Sequence, residues 1–150
     1  MNAAAARTAA VTFLAFDYGE RRVGVAAGNA IVGTAQPLTT VCTQGDARFA
    51  EIARLVAEWR PDALVVGVPF HPDGAAHDNT RRARAFGRRL HGRFGLPVHE
   101  VDERYSTTEA LAAGAGDADA DAVAAAIILG QFLRSLSTSA NETRDDDAAA

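Results

Sequence analysis

Lysine is absent, and all fifteen basic residues are arginine. In so alanine-rich a chain this is most simply a composition bias, although selection for bidentate phosphate contacts leaves the same mark. The single cysteine, Cys42, excludes an internal disulfide, and no CxxC or Cys/His cluster offers a zinc site. No apolar run approaches the length of a membrane span. The short apolar stretch near the N-terminus stops at Asp17 and carries no convincing cleavage site. No internal repeat is present. These absences predict a soluble, cytoplasmic, non-membrane protein. At 150 residues the chain holds one core and is too short for two large lobes.

Hydrophobic residues make up 48% of the chain, but alanine inflates that figure, and the larger apolar side chains gather in a few runs. They suffice for one sheet with helices on it. The formal charge is −4, and its distribution matters more than its sum. Glu142, Arg144, Asp145, Asp146 and Asp147 concentrate acid in the tail, whereas Arg81 to Arg93 holds six arginines. An anionic partner is therefore compatible with the composition.

The pattern along the chain reads β-β-β-α-β-α-β-α. Thr12–Tyr18 is apolar on both faces, as a central strand should be. Arg22–Ala27 and Gly33–Val41 follow after short turns, which predicts an antiparallel meander. From Asp46 to Arg60 the period changes to helical, with Phe49, Ile52, Ala53 and Val56 on one face and Pro61 as the stop. "DALVVGVP" reads as a buried strand, and "FHPDGAAHDN" as a loop in which His71 and His77 receive no role. Asn79–Phe94 is a helix with Ala83, Phe86, Leu90 and Phe94 inward and Arg81, Arg84 and Arg88 on the opposite face. "LPVHEVDER" is a fifth strand. "STTE" at Ser106–Glu109 matches a capping box. The last helix is expected over Asp121–Leu136. The predicted organisation is a loose segment 1–10, a domain over 11–136 and a disordered acidic tail over 137–150. Its fold class is α/β, a five-stranded mixed sheet flanked by helices.

Three acids stand where elements meet the sheet. Asp17 ends the first strand and Glu103 the fifth. Asp121 opens the final helix with Ala125, Ile128 and Phe132 on its face. Carboxylates gathered at one sheet edge repel unless a divalent cation lies between them, and an oxygen-only set suits Mg²⁺ or Mn²⁺. Such a site hydrolyses phosphodiesters. Each acid also has a plainer role open to it. Asp17 can pair with Arg21 or Arg22, Asp121, Asp117 or Asp119 can cap the helix, and Glu103 can be a surface charge beside Arg104.

"LAFDYGERRVGVA", "VVGVPFHPDG", "RRARAFGRRL", "VDERYSTTEA" and "DAVAAAIIL" resemble, in order, the motifs of the YqgF-type family of pre-16S rRNA nucleases, also described as Holliday-junction-resolvase-like proteins. The resemblance spans Leu14 to Leu133. It implies an RNase H-like fold, a cytoplasmic location and metal-dependent phosphodiester hydrolysis in 5′-end maturation of 16S rRNA. By motif, Asp17, Glu103 and Asp121 match the family's three catalytic, metal-binding acids. Arg22, Arg104 and part of the Arg81, Arg84, Arg88 set would contact phosphates. The partner implied is pre-rRNA or another structured nucleic acid, within reach of the small-subunit precursor, for a monomer or dimer. The family carries a longer, lysine-bearing stretch before the last acid, where this chain has only "LAAGAGDADA".

Three other readings share these residues. The strand-turn-strand around Gly19 resembles the phosphate loop of two-lobed actin-like ATPases, although this chain supplies only one lobe. A DNA junction resolvase would need a two-fold dimer to cut symmetric strands. A non-catalytic RNA-binding assembly factor would keep the arginines without the cleavage.

Overall fold

Phe13, Leu14, Ala15 and Phe16 are all buried, so strand β1 (Thr12–Asp17) has no solvent face and lies in the middle of its sheet. The computed structural model describes residues 10–103 and 117–149, with side chains of the closing helix described over 120–138. Strands β2 (Val23–Asn29), β3 (Thr34–Val41), β4 (Ala63–Pro69) and β5 (Val98–Glu103) complete a five-stranded sheet in the order β3-β2-β1-β4-β5. β1, β2 and β3 form the expected antiparallel meander, and β4 and β5 join parallel to β1. The mixed sheet and element order predicted from the pattern are those observed.

Local chemistry sets the strand ends. Asn29 Oδ1 accepts from the amides of Ile31 and Val32, shaping the turn between β2 and β3 and carrying β2 two residues past its predicted end. Gly33 follows at φ 79°, a left-handed conformation that disfavours a side chain. β3 is an outer strand, half of its residues exposed, and tolerates Pro37 there. Asp62 Oδ2 accepts from the amides of Val11 and Thr12 at 2.8 and 2.9 Å, and the Asp62 amide donates to Thr12 O. This pins the start of β1 against β4. The same two amides hold the Asp62 carboxyl below its ordinary value of 3.8.

Helices α1 (Gly45–Trp59) and α2 (Asp78–Phe94) cover one face of the sheet, and α3 (Asp117–Ala149) covers the other. Strand alternation separates two cores. Leu14, Phe16, Val66 and Val68 meet Phe49, Ile52, Phe86 and Leu90. Phe13, Ala15, Ala63 and Val65 meet Ile128, Leu129, Phe132 and Leu133, with Phe13 and Phe132 edge to face at 5.2 Å. At the start of α2, the Asn79 amide donates to His77 Nδ1, and the His77 amide donates to Thr80 Oγ1. His77, given no role from sequence, is thus a helix cap. Thr80 also donates to Pro69 O, tying the start of α2 to the end of β4.

Some expectations need correcting. Ala53 is exposed, and α1 instead packs Arg48, Phe49 and Ile52 inward, with Leu55, Val56 and Trp59 partly buried. α3 begins four residues before Asp121, and its backbone is helical over Asp117–Ala149. Ala120–Thr138 is long and apolar enough, by length and composition, to cross a membrane, contrary to the statement that no run approaches that length. Its buried residues Ile128, Leu129, Phe132 and Leu133 pack on the sheet, which accounts for its apolar character. The predicted loose segment (1–9 of it), the Ser106 cap and Arg104 lie outside the described residues.

Candidate active site

β1, β4 and β5 run parallel, so Asp17, Pro69 and Glu103 all end at one edge of the sheet. Ligand sites in open α/β sheets collect at such carboxyl ends. Alternation puts Asp17 on the α3 face, in line with Phe13 and Ala15. Glu103 follows Val101 onto the same face, and Asp102 turns to the other.

Two glycines bring the third acid in. Asp17 pairs with Gly24 across β1 and β2. A Cβ on Gly24 would stand 1.8 Å from Asp121 O and 2.9 Å from Ala122 N, so the α3 backbone rests directly on the strand at this point. The carbonyl of Asp121 is therefore in contact with the strand beside Asp17. On the opposite side Phe16 pairs with Val66, and the next step along β4 is Gly67. A Cβ on Gly67 would stand 2.5 Å from Ile128 Cδ1 and 3.3 Å from Glu103 Cγ. Space for the carboxylates on either side of Asp17 is made by missing side chains. Neither glycine has positive φ, so close approach and not backbone strain demands them.

Asp17, Glu103 and Asp121 are thus placed on one face at one edge. The α3 contact at Gly24 fixes Asp121 there, and the Asp119 side chain lies outside those described. Arg22 Nε stands 3.0 Å from Asp121 Oδ2. Oδ2 is buried yet receives no directed hydrogen bond, so the contact is electrostatic. Among the described residues no three His, Cys, Asp or Glu side chains stand close enough to hold one ion together. The donors nonetheless suit a hard divalent cation. All are carboxylate oxygens, and Asp121 Oδ2 is a buried acceptor to which no N–H is directed. In this arrangement Arg22 supplies the positive charge at Asp121.

The arginines expected to touch phosphate divide. Arg22 lies at the carboxylates. Arg81 pairs with Asp78, and Arg84 lies 3.3 Å from Glu100 and over the Phe70 ring at 5.1 Å. Arg88 is exposed and makes no ion pair among the described residues. Sequence reasoning passed over Arg48, which is only 6% exposed. Its signal was available, since Arg48 stands four residues before Ile52 on the inward stripe of α1.

Residues 11–135 match the RuvX family, described as Holliday junction resolvase. A protein of Albidiferax ferrireducens named "Putative pre-16S rRNA nuclease" is 66% identical over 125 residues, covering 83% of this chain and 79% of that one. A Polaromonas protein of the same name is also 66% identical, covering 83% of this chain and 89% of its own. One from Burkholderia pseudomallei is 53% identical over 91% of this chain and 95% of its own. Among solved structures, Thermus thermophilus RuvC in complex with a Holliday junction substrate superposes with a TM-score of 0.54, at 16% identity over 83% of this chain and 95% of that one. That likeness bears on the fold, and it agrees with the RNase H-like sheet expected from the motifs. On the extent of the match and the level of identity, the chain belongs to the RuvX family.

Proposed function

We propose that this chain is a nuclease that hydrolyses phosphodiester bonds in RNA, in 5′-end maturation of the 16S rRNA precursor in the cytoplasm. The observation that supports this reading is the placement of Asp17, Glu103 and the start of α3 with Asp121 on one face of the sheet where β1 and β5 end, beside Gly24 and Gly67. The names of the relatives support RNA as the substrate. Asp17, Glu103 and Asp121 would hold Mg²⁺ or Mn²⁺. When bound, such an ion polarises the phosphoryl oxygens and makes water a competent nucleophile.

The protein's own share is placement. β1 and β5 hold two carboxylates rigidly, since their backbones are locked in the sheet. α3 delivers the third on a helix that cannot drift from Gly24. Arg22 neutralises Asp121 and is nearly half exposed, so its guanidinium can turn to an incoming phosphate. Arg81, Arg84, Arg88 and Arg104 would add contacts along the strand. The test is cleavage of a precursor RNA in Mn²⁺ by wild type and Asp17→Asn. Loss in the variant is expected; equal cleavage overturns the assignment.

The family description and the RuvC fold favour a second reading, a DNA junction resolvase. Cutting two symmetric strands needs a two-fold dimer. A monomer in sedimentation that leaves four-way junctions intact and cuts precursor RNA decides for RNA.

A further inference from the structure

On the sheet face away from the carboxylates, α1 and α2 leave a notch of about 180 Å³ bounded by Tyr18, Gly45, Arg48, Arg82 and Arg89. At about 30 Å³ per water it has room for roughly six waters, or for a phosphate with a few of them. Its innermost cation is Arg48. The Arg48 guanidinium donates through Nε to Thr43 O at 2.9 Å and through Nη2 to Glu20 O at 2.8 Å, both backbone carbonyls. It also lies 5.9 Å from the Tyr18 ring centre. No carboxylate pairs with it among the described residues. A cation so deeply buried without a counter-anion is costly, and these neutral acceptors leave its charge in place.

The surroundings add positive charge. Arg89 makes no ion pair among the described residues. Arg82 is paired with one carboxylate, Glu20, at 2.6 Å. Asp46, at the mouth of α1, is taken by Arg93 at 3.3 Å. Three guanidiniums facing one carboxylate leave two positive charges. The start of α1 adds backbone N–H groups, because Gln44 at the N-cap makes no side-chain capping bond and Gly45 lines the notch.

We propose that this notch binds a phosphate monoester, whose two negative charges match the local excess and whose oxygens suit forked guanidinium donors. The source is either the terminal phosphate of a nucleic-acid strand or a free nucleotide. Tyr18 follows Asp17 directly but alternation sends it to the opposite face, so the notch is built independently of the carboxylates.

The experiment is run in EDTA, which separates it from the nuclease reading. Anisotropy compares a 5′-phosphorylated RNA oligonucleotide with its 5′-hydroxyl twin, and NMR shifts of the arginine side chains follow added inorganic phosphate and nucleoside monophosphate. Wild type is expected to prefer the phosphorylated RNA by about tenfold, the scale of a charge-assisted contact. Arg89→Ala, a surface change, should erase that preference. Arg88→Ala, equal in charge but outside the notch, should weaken both RNAs alike and keep it. If RNA ends bind equally while the mononucleotide shifts the arginines in wild type and not in Arg89→Ala, the ligand is the free nucleotide. Equal binding of both RNAs with no response to phosphate or nucleotide overturns the proposal, as does a preference that survives Arg89→Ala.

Discussion

The two faces of the sheet differ most at the edge where β1 ends. On the α3 side the helix backbone touches Gly24, and the neighbouring residues are Ala122 and Ala125. On the other side Phe16, Tyr18 and Phe49 surround Phe86 at 5.1 to 5.9 Å, holding α1 and α2 away from the strand ends. Close approach on one face brings the start of α3, with Asp121, onto the strand beside Asp17, while aromatic spacing on the other leaves a gap that arginines line. A single step of strand alternation, from Asp17 to Tyr18, separates acidic from basic chemistry.

The contrast is most exposed at Asp17. Asp17→Asn should lower cleavage by roughly 10²-fold or more, since several kcal/mol of charge stabilisation are at stake. An unchanged circular dichroism spectrum and melting temperature would place the loss in the site. Gly24→Ala comes next. Its Cβ would collide with backbone and not with a flexible tip, so a cost near the top of the usual overpacking range, about 3 kcal/mol, is expected in urea unfolding. Cleavage should fall with it as α3 lifts Asp121.

Gly67→Ala meets mainly the end of Ile128, which can turn aside. About 1 kcal/mol is expected, with a larger effect on cleavage than on stability because Glu103 is the next neighbour. Gly92→Ala serves as the contrasting glycine. Nothing lies within 4 Å of its Cβ, and it sits within α2, so a gain of roughly 0.5–1 kcal/mol is expected by the same measurement.

The smallest effect belongs to Asp62, at the other end of β1. Its carboxyl titrates below 3.8 in the folded protein because two amides donate to it. That stabilisation is fully present above the unfolded value and is lost as pH falls through the folded one. Asp62→Asn should therefore melt with a shallower acid dependence below about pH 4 than wild type. Identical acid profiles would remove the clamp from the account of β1.

The sequence by itself determined the order of elements and the central place of β1, and it singled out the three acids proposed for the site. Each rests on short-range pattern: apolar runs, helical spacing, and a carboxylate where a strand or helix begins or ends. Arg48 was equally legible, since it stands on the inward stripe of α1. Only tertiary structure decided that Gly24 lets the α3 backbone rest on β2, that Gly67 faces Ile128 and Glu103, that Arg22 sits on Asp121, and that His77 caps α2. A glycine in a strand looks the same whether it faces a helix backbone or empty space. Its meaning comes from residues far along the chain, which sheet register and helix packing bring to it.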